Sequence, residues 1–129
     1  MAHILIIEDE AAIRDSLARL LQLEGHRVDE ENDGIAGLEA ARALHPDLII
    51  CDILMPGIGG YGVLAGVRDT PELAATPLLF LTASANRDER AQALKRGADD
   101  YLVKPFRIAD VLDAISRQLE RKKDDGRKT

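Results

Sequence analysis

Short apolar runs recur along the chain at His3 to Ile7, Asp47 to Cys51, Pro77 to Leu81 and Tyr101 to Val103, each bounded by charged or turn residues. Runs this short, without a polar residue at every second place, read as strands buried on both faces. A weaker run, Arg27 to Glu31, has Val28 as its apolar anchor and reads as an edge strand. The segments between the runs have helical spacing, which is what a parallel crossover needs. The alternation therefore predicts an α/β fold, an open doubly wound sheet of five parallel strands with helices on both faces.

The helices differ in how well the sequence marks them. Ile13, Leu17, Leu20 and Leu21 form one apolar stripe, stopped at Gly25, and Leu38, Ala41 and Leu44 form a second, ended by Pro46. Asn86 is placed to cap a fourth helix with Asp88 and Glu89 in its first turn, Ala91 and Leu94 on its inner face, and a stop at Gly97. Ile108, Val111, Leu112, Ile115 and Leu119 make the clearest stripe of all, the fifth helix. The third helix, within Gly60 to Arg68, carries Gly62 and Gly66. Each interior glycine costs about 1 kcal/mol against alanine, so a locally soft helix is expected there.

A chain of 129 residues, 46% of them hydrophobic, suits one domain with one core. Residues 1–121 are expected to form it. Residues 122–129 have no apolar side chain and are expected to be a disordered charged tail or the start of a linker. The start at Met1 suggests an N-terminal position, as a stand-alone domain or ahead of an output domain. A net charge of -6 disfavours nucleic acid and anionic membrane as partners of this chain, whereas an acidic cleft would attract a cation. The single cysteine, Cys51, lies inside an apolar run, which points to a packed side chain, a reducing compartment and the cytoplasm. No stretch approaches the ~20 apolar residues of a membrane span.

Ligands of open parallel sheets bind beyond the carboxyl ends of the strands. Read at those ends, the sequence offers Glu8 and Asp9 after the first strand, Asp52 after the third, Thr82 after the fourth and Lys104 after the fifth. Clustered carboxylates repel one another unless a cation sits among them, and hard oxygen ligands suit Mg²⁺, with Mn²⁺ as the alternative. Lys104 adds a movable point charge for an anion and Thr82 a neutral donor. A carboxylate beside a metal and an ammonium is also a competent nucleophile towards phosphorus, forming an acyl phosphate. Each residue has an ordinary explanation alone: Asp9 and Glu10 favour a helix N-terminus, and Asp52 suits a turn before Pro56. Complementary chemistry at four strand ends together is not explained that way.

The segments IIEDE, DLIICDILMPGIGGY, LLFLTAS and GADDYLVKPF, in this order and separation, strongly resemble the receiver domains of two-component response regulators, including the chemotaxis-regulator type. The resemblance spans residues 3 to about 120. It implies a flavodoxin-like strand order of 2-1-3-4-5 and a phospho-acceptor switch that takes a phosphoryl group from a sensor histidine kinase or phosphotransfer protein, rather than a conventional turnover enzyme. Asp52 resembles the acceptor. Glu8 and Asp9 resemble the acidic pair that holds Mg²⁺ with Asp52 and the Leu54 backbone carbonyl. Thr82 and Lys104 would contact the phosphoryl oxygens, Tyr101 would turn inward as Thr82 moves, and the Lys104 to Pro105 peptide would be cis. The output surface would lie on the fourth helix, fifth strand and fifth helix, serving an output domain, a downstream protein or a homodimer. Glu31 and Gly59 depart from the residues usual in the family, the first adding an acid near the site and the second removing a helix cap.

Two rival readings are weaker. A haloacid-dehalogenase-type phosphatase resembles D-x-D, and Leu54 stands where its second aspartate, the proton shuttle, is needed. The run GIGGYG at residues 57–62 matches G-x-G-x-x-G, but it follows the third strand rather than the first, after Pro56, and reads better as a loop entering a helix.

Overall fold

The computed structural model describes residues 2–84 and 86–127, with side chains described as far as Arg121. The elements alternate strictly: β1 (His3–Ile7), α1 (Ala11–Leu23), β2 (Arg27–Glu31), α2 (Gly34–Leu44), β3 (Leu48–Asp52), α3 (Gly59–Asp69), β4 (Leu78–Thr82), α4 (Arg87–Lys95), β5 (Asp100–Val103) and α5 (Ile108–Arg127). The strands pair in parallel in the order β2-β1-β3-β4-β5, the flavodoxin-like arrangement. β3 and β4 are buried along their whole length, whereas β2, with its charged Arg27, Asp29, Glu30 and Glu31, takes one edge. No described helix is long and apolar enough to cross a membrane.

Period-two side-chain placement divides the core into two layers. On one face Leu5, Ile7, Ile49, Cys51, Leu78 and Phe80 pack with Ala41 of α2, Val63 and Val67 of α3 and Ala93 of α4. On the other, Ile4, Ile6, Leu48, Ile50, Leu79 and Leu81 pack against Leu17 and Leu21 of α1 and Val111 and Ile115 of α5.

Four details depart from the sequence expectations. β3 and β4 each run one residue further, because Asp52 and Thr82 still pair with Leu81 and Val103 in the parallel ladder. In α4 the buried residue is Ala93, not Ala91 or Leu94, and Leu94 is 40% exposed. A small side chain brings that helix close to the sheet, which spacing alone does not reveal. The glycines of α3 also mark close packing: a Cβ on Gly66 would collide with Leu38 of α2, and one on Gly60 would lie 2.5 Å from the Asp52 carbonyl oxygen. The charged tail begins as helix, since α5 continues through Arg127. Lys128 and Thr129 lie outside the described residues.

Arg68 is a structural residue that no sequence pattern announced. Its guanidinium donates to the carbonyls of Thr76 (2.7 Å) and Gly97 (2.8 Å) and to the Asp99 carboxylate (2.8 Å), joining the end of α3 to the loops that lead into β4 and β5.

Candidate functional site

The carboxyl ends of β1, β3, β4 and β5 converge, and each delivers one of the expected groups. Glu8 follows β1 and is fully buried, while Asp9 beside it is exposed. Asp52 and Thr82 end β3 and β4 at 4% and 3% exposure. A strand buried on both faces must present its last side chain at the sheet edge, where the chain turns into a loop. One carboxylate oxygen each from Glu8, Asp9 and Asp52 lies within 4.8 Å of the others.

Lys104, just after β5, sets its ammonium among them, 2.6 Å from Glu8 Oε1 and 3.3 Å from Asp52 Oδ2. The Lys104 ammonium is thus a close, charge-assisted partner of the buried Glu8 Oε1. Burial, followed by its contact with the Asp52 carboxyl, raises the Glu8 pKa to about 7, against the pull of Lys104. Burial pulls the Lys104 ammonium down, but its contact with Glu8 and the charge of Asp52 outweigh that and hold it above the usual lysine value. One ammonium does not neutralise three carboxylates. The all-oxygen donor set, with more carboxylate than ammonium charge around it, fits a hard divalent cation of the Mg²⁺ type.

The remaining expected residues surround this cluster. Thr82 Oγ1 accepts from the Ser84 amide at 3.1 Å. Tyr101 is 4% exposed and its hydroxyl donates to the Ser84 carbonyl at 3.1 Å, so the ring already lies inward. The Leu54 amide donates to Asp52 Oδ1 at 3.2 Å and its side chain is 73% exposed, at the rim of a cleft of about 460 Å³ shared with Ile53, Tyr61 and Thr82. The Lys104 to Pro105 peptide is cis. Cys51 is buried, and burial, then the charges of Asp52 and Glu8, push its thiol far up.

The two departures noted in the sequence have modest effects. The Glu31 carbonyl accepts from the Glu8 amide at 3.1 Å, so its backbone continues the ladder to the site. α3 starts without a side-chain cap, Ile58 standing at its N-cap. In the GIGGYG run Gly57 and Gly59 have φ of 81° and 66°, and Gly59 to Gly62 already form the first turn of α3. Sequence reading missed Arg14 and Gly60, both of which touch the backbone of site residues. Arg14 reads as an ordinary helix-surface charge, and Gly60 as the start of the third helix.

Comparisons with known proteins agree with this geometry. Residues 4–116 match the response regulator receiver domain family. The response regulator MprA of Mycobacterium leprae is 39% identical over 123 residues, covering 95% of this chain and 53% of that protein. The chain spans about half the length of the curated relatives it matches. Among solved structures, the chemotaxis protein CheY4 of Vibrio cholerae superposes with a TM-score of 0.86 at 32% identity, covering 91% of this chain and 98% of that one. The receiver domain of the sensor histidine kinase PA1611 from Pseudomonas aeruginosa, which has a magnesium ion in its active-site cleft, superposes with a TM-score of 0.85 at 29% identity, covering 92% and 98%. With its fold, its acidic cluster and these matches in agreement, the chain belongs to the response regulator receiver domain family.

Proposed function

We propose that Asp52 is the phospho-acceptor of this receiver domain, and that the protein is a switch in a histidine-to-aspartate relay. The observation that carries this reading is the convergence of Glu8, Asp9 and Asp52 oxygens within 4.8 Å, with the Lys104 ammonium against them. Glu8, Asp9, Asp52 and the Leu54 carbonyl would hold Mg²⁺, or Mn²⁺ in its place, and the bound cation would neutralise charge on both the cluster and the incoming phosphoryl group. An Asp52 carboxylate oxygen bonds to phosphorus as the bond to the donor's histidine nitrogen breaks, and the bonding electrons leave with the imidazole. The result is an acyl phosphate on Asp52.

Thr82 and Lys104 are proposed to answer the change. A phosphoryl group adds about two negative charges and new acceptor oxygens, which draw the Lys104 ammonium and the Thr82 hydroxyl. Thr82 Oγ1 now accepts from the Ser84 amide, and Ser84 also receives the Tyr101 hydroxyl, so movement of Thr82 is transmitted to Tyr101 through one residue. The face formed by α4, β5 and α5 would carry the signal to an output domain, a downstream protein or a second copy. The donor would be a sensor histidine kinase or phosphotransfer protein in the cytoplasm. We take residues 1–121 as the receiver unit and 122–129 as its charged extension. Such a module modifies itself and reverts by hydrolysis rather than turning over a substrate.

Intact mass after incubation with acetyl phosphate and Mg²⁺ tests the reading. Wild type should gain one phosphoryl group, labile to hydroxylamine, and Asp52→Asn should gain none. Absence of both a mass gain and accelerated acetyl phosphate hydrolysis, in a protein that binds Mg²⁺, would overturn it.

A further inference from the structure

We infer that Arg14 is a positioning residue for the metal site, acting as a clamp on the peptide that joins Glu8 to Asp9. This inference rests on the proposed Mg²⁺ site. Glu8 is the first residue beyond β1, and its residue is fully buried. Its amide is satisfied by the Glu31 carbonyl at 3.1 Å. Its carbonyl, in a fully buried residue, needs a donor as well. Arg14, in the first turn of α1, reaches back six residues and donates from Nη1 to that oxygen at 2.8 Å. The same guanidinium is anchored on β2, with Nε 3.8 Å from Glu30 Oε1, and the Arg14 side chain is only 19% exposed.

Arg14 on the first helix thus bridges Glu30 on the edge strand and the backbone of a site carboxylate. The peptide held in this way carries Glu8 on one side and Asp9 on the other. Its orientation sets where both carboxylates can point. A helix cap does not perform this task, because Glu10 at the N-cap makes no side-chain capping bond. Glu10 reaches the site only weakly, its amide lying 3.4 Å from Glu8 Oε2. Arg14 is therefore the strongest polar restraint from a side chain on the backbone of the β1 to α1 turn.

The charge of Arg14 makes the clamp separable from simple electrostatics. A guanidinium bonded to the backbone of a site residue opposes a divalent cation, so on charge alone its removal should tighten Mg²⁺ binding. A clamp predicts the reverse. Isothermal titration of Mg²⁺ into the full chain, well below the melting temperature measured in EDTA, should find Arg14→Ala weaker than wild type by about tenfold, the scale of a lost outer-shell partner. Arg14→Lys keeps the charge but cannot fork between the Glu8 carbonyl and Glu30, and should lie between the two. Arg14→Ala binding Mg²⁺ as tightly as wild type, or more tightly, would overturn the clamp while leaving the proposed function intact. If the alanine variant does not fold, the lysine variant decides, since charge alone predicts no change in its affinity. A wild-type protein that takes up no Mg²⁺ would overturn the proposed function and the clamp together.

Discussion

Cys51 and Asp52 are neighbours with opposite fates, because alternate residues of a strand face opposite ways and the strand ends between two environments. The thiol of Cys51 faces the core at 0% exposure, and burial, then the nearby Asp52 and Glu8 carboxylates, hold it protonated far above the ordinary value of 9.0. The unfolded chain releases this proton near pH 9 and the folded chain keeps it. The folded state therefore binds more protons above that pH, and its stability falls as pH rises, by about 1.4 kcal/mol per unit for one proton. Chemical denaturation between pH 8.5 and 10.5 should show this component in wild type and lack it in Cys51→Ala. At pH 8 a disulfide-exchange reagent should react with the thiol only after denaturant is added. The sequence showed that Cys51 was buried but not what its neighbours would do to its proton.

Helix α3 shows why one residue type carries several meanings at the level of an element. Its glycines lower helix propensity, yet Gly66 admits Leu38 of α2, and Gly60 presses against the backbone of Asp52 and Ile53 with Phe80 behind it. A methyl at Gly60 meets a carbonyl oxygen at 2.5 Å and a Cα at 2.6 Å, neither of which can rotate away. A methyl at Gly66 meets the flexible end of a leucine. Gly60→Ala should cost about 2–3 kcal/mol through overpacking, while Gly66→Ala should cost less than 1 kcal/mol, because alanine's helix propensity offsets a side-chain shift. Urea denaturation of the two variants checks the ranking. Equal losses would mean that the backbone contact at Gly60 relaxes freely. The presence of α3 was legible in the sequence, but the partners of its glycines come from α2 and β3 and were not.

Across the whole molecule, long-range ties fix the loops at the edge of the sheet opposite the site. Arg68 is the clearest, joining the end of α3 to the Thr76 and Gly97 carbonyls and to Asp99, with its side chain 24% exposed. Arg68→Ala would leave three carbonyls, those of Ala74, Thr76 and Gly97, without a charged donor and a half-buried carboxylate without its ion pair, though Asp99 would keep the Leu78 amide at 2.8 Å. The expected loss is about 2–3 kcal/mol, read as a lower melting temperature, and Arg68→Lys should recover only part of it because an ammonium lacks the fork. A loss below 0.5 kcal/mol would show that solvent replaces these bonds. Nothing in the run VRDTPEL singles out this arginine from other helix-end charges.

By itself the sequence determined the order of elements, the parallel sheet, the edge position of β2 and the identity of the strand-end residues. All of these follow from patterns confined to a few neighbouring positions, which hydrophobic periodicity and chain chirality read directly. Only the tertiary structure decided that Glu8 is fully buried against the Lys104 ammonium, that Ala93 rather than Leu94 faces the sheet, that α5 continues through Arg127, and that Arg14 and Gly60 touch the backbone of the site. Those features depend on which distant segments approach one another and how closely. Burial, pKa and steric fit are properties of such approaches, and a linear pattern carries no measure of them.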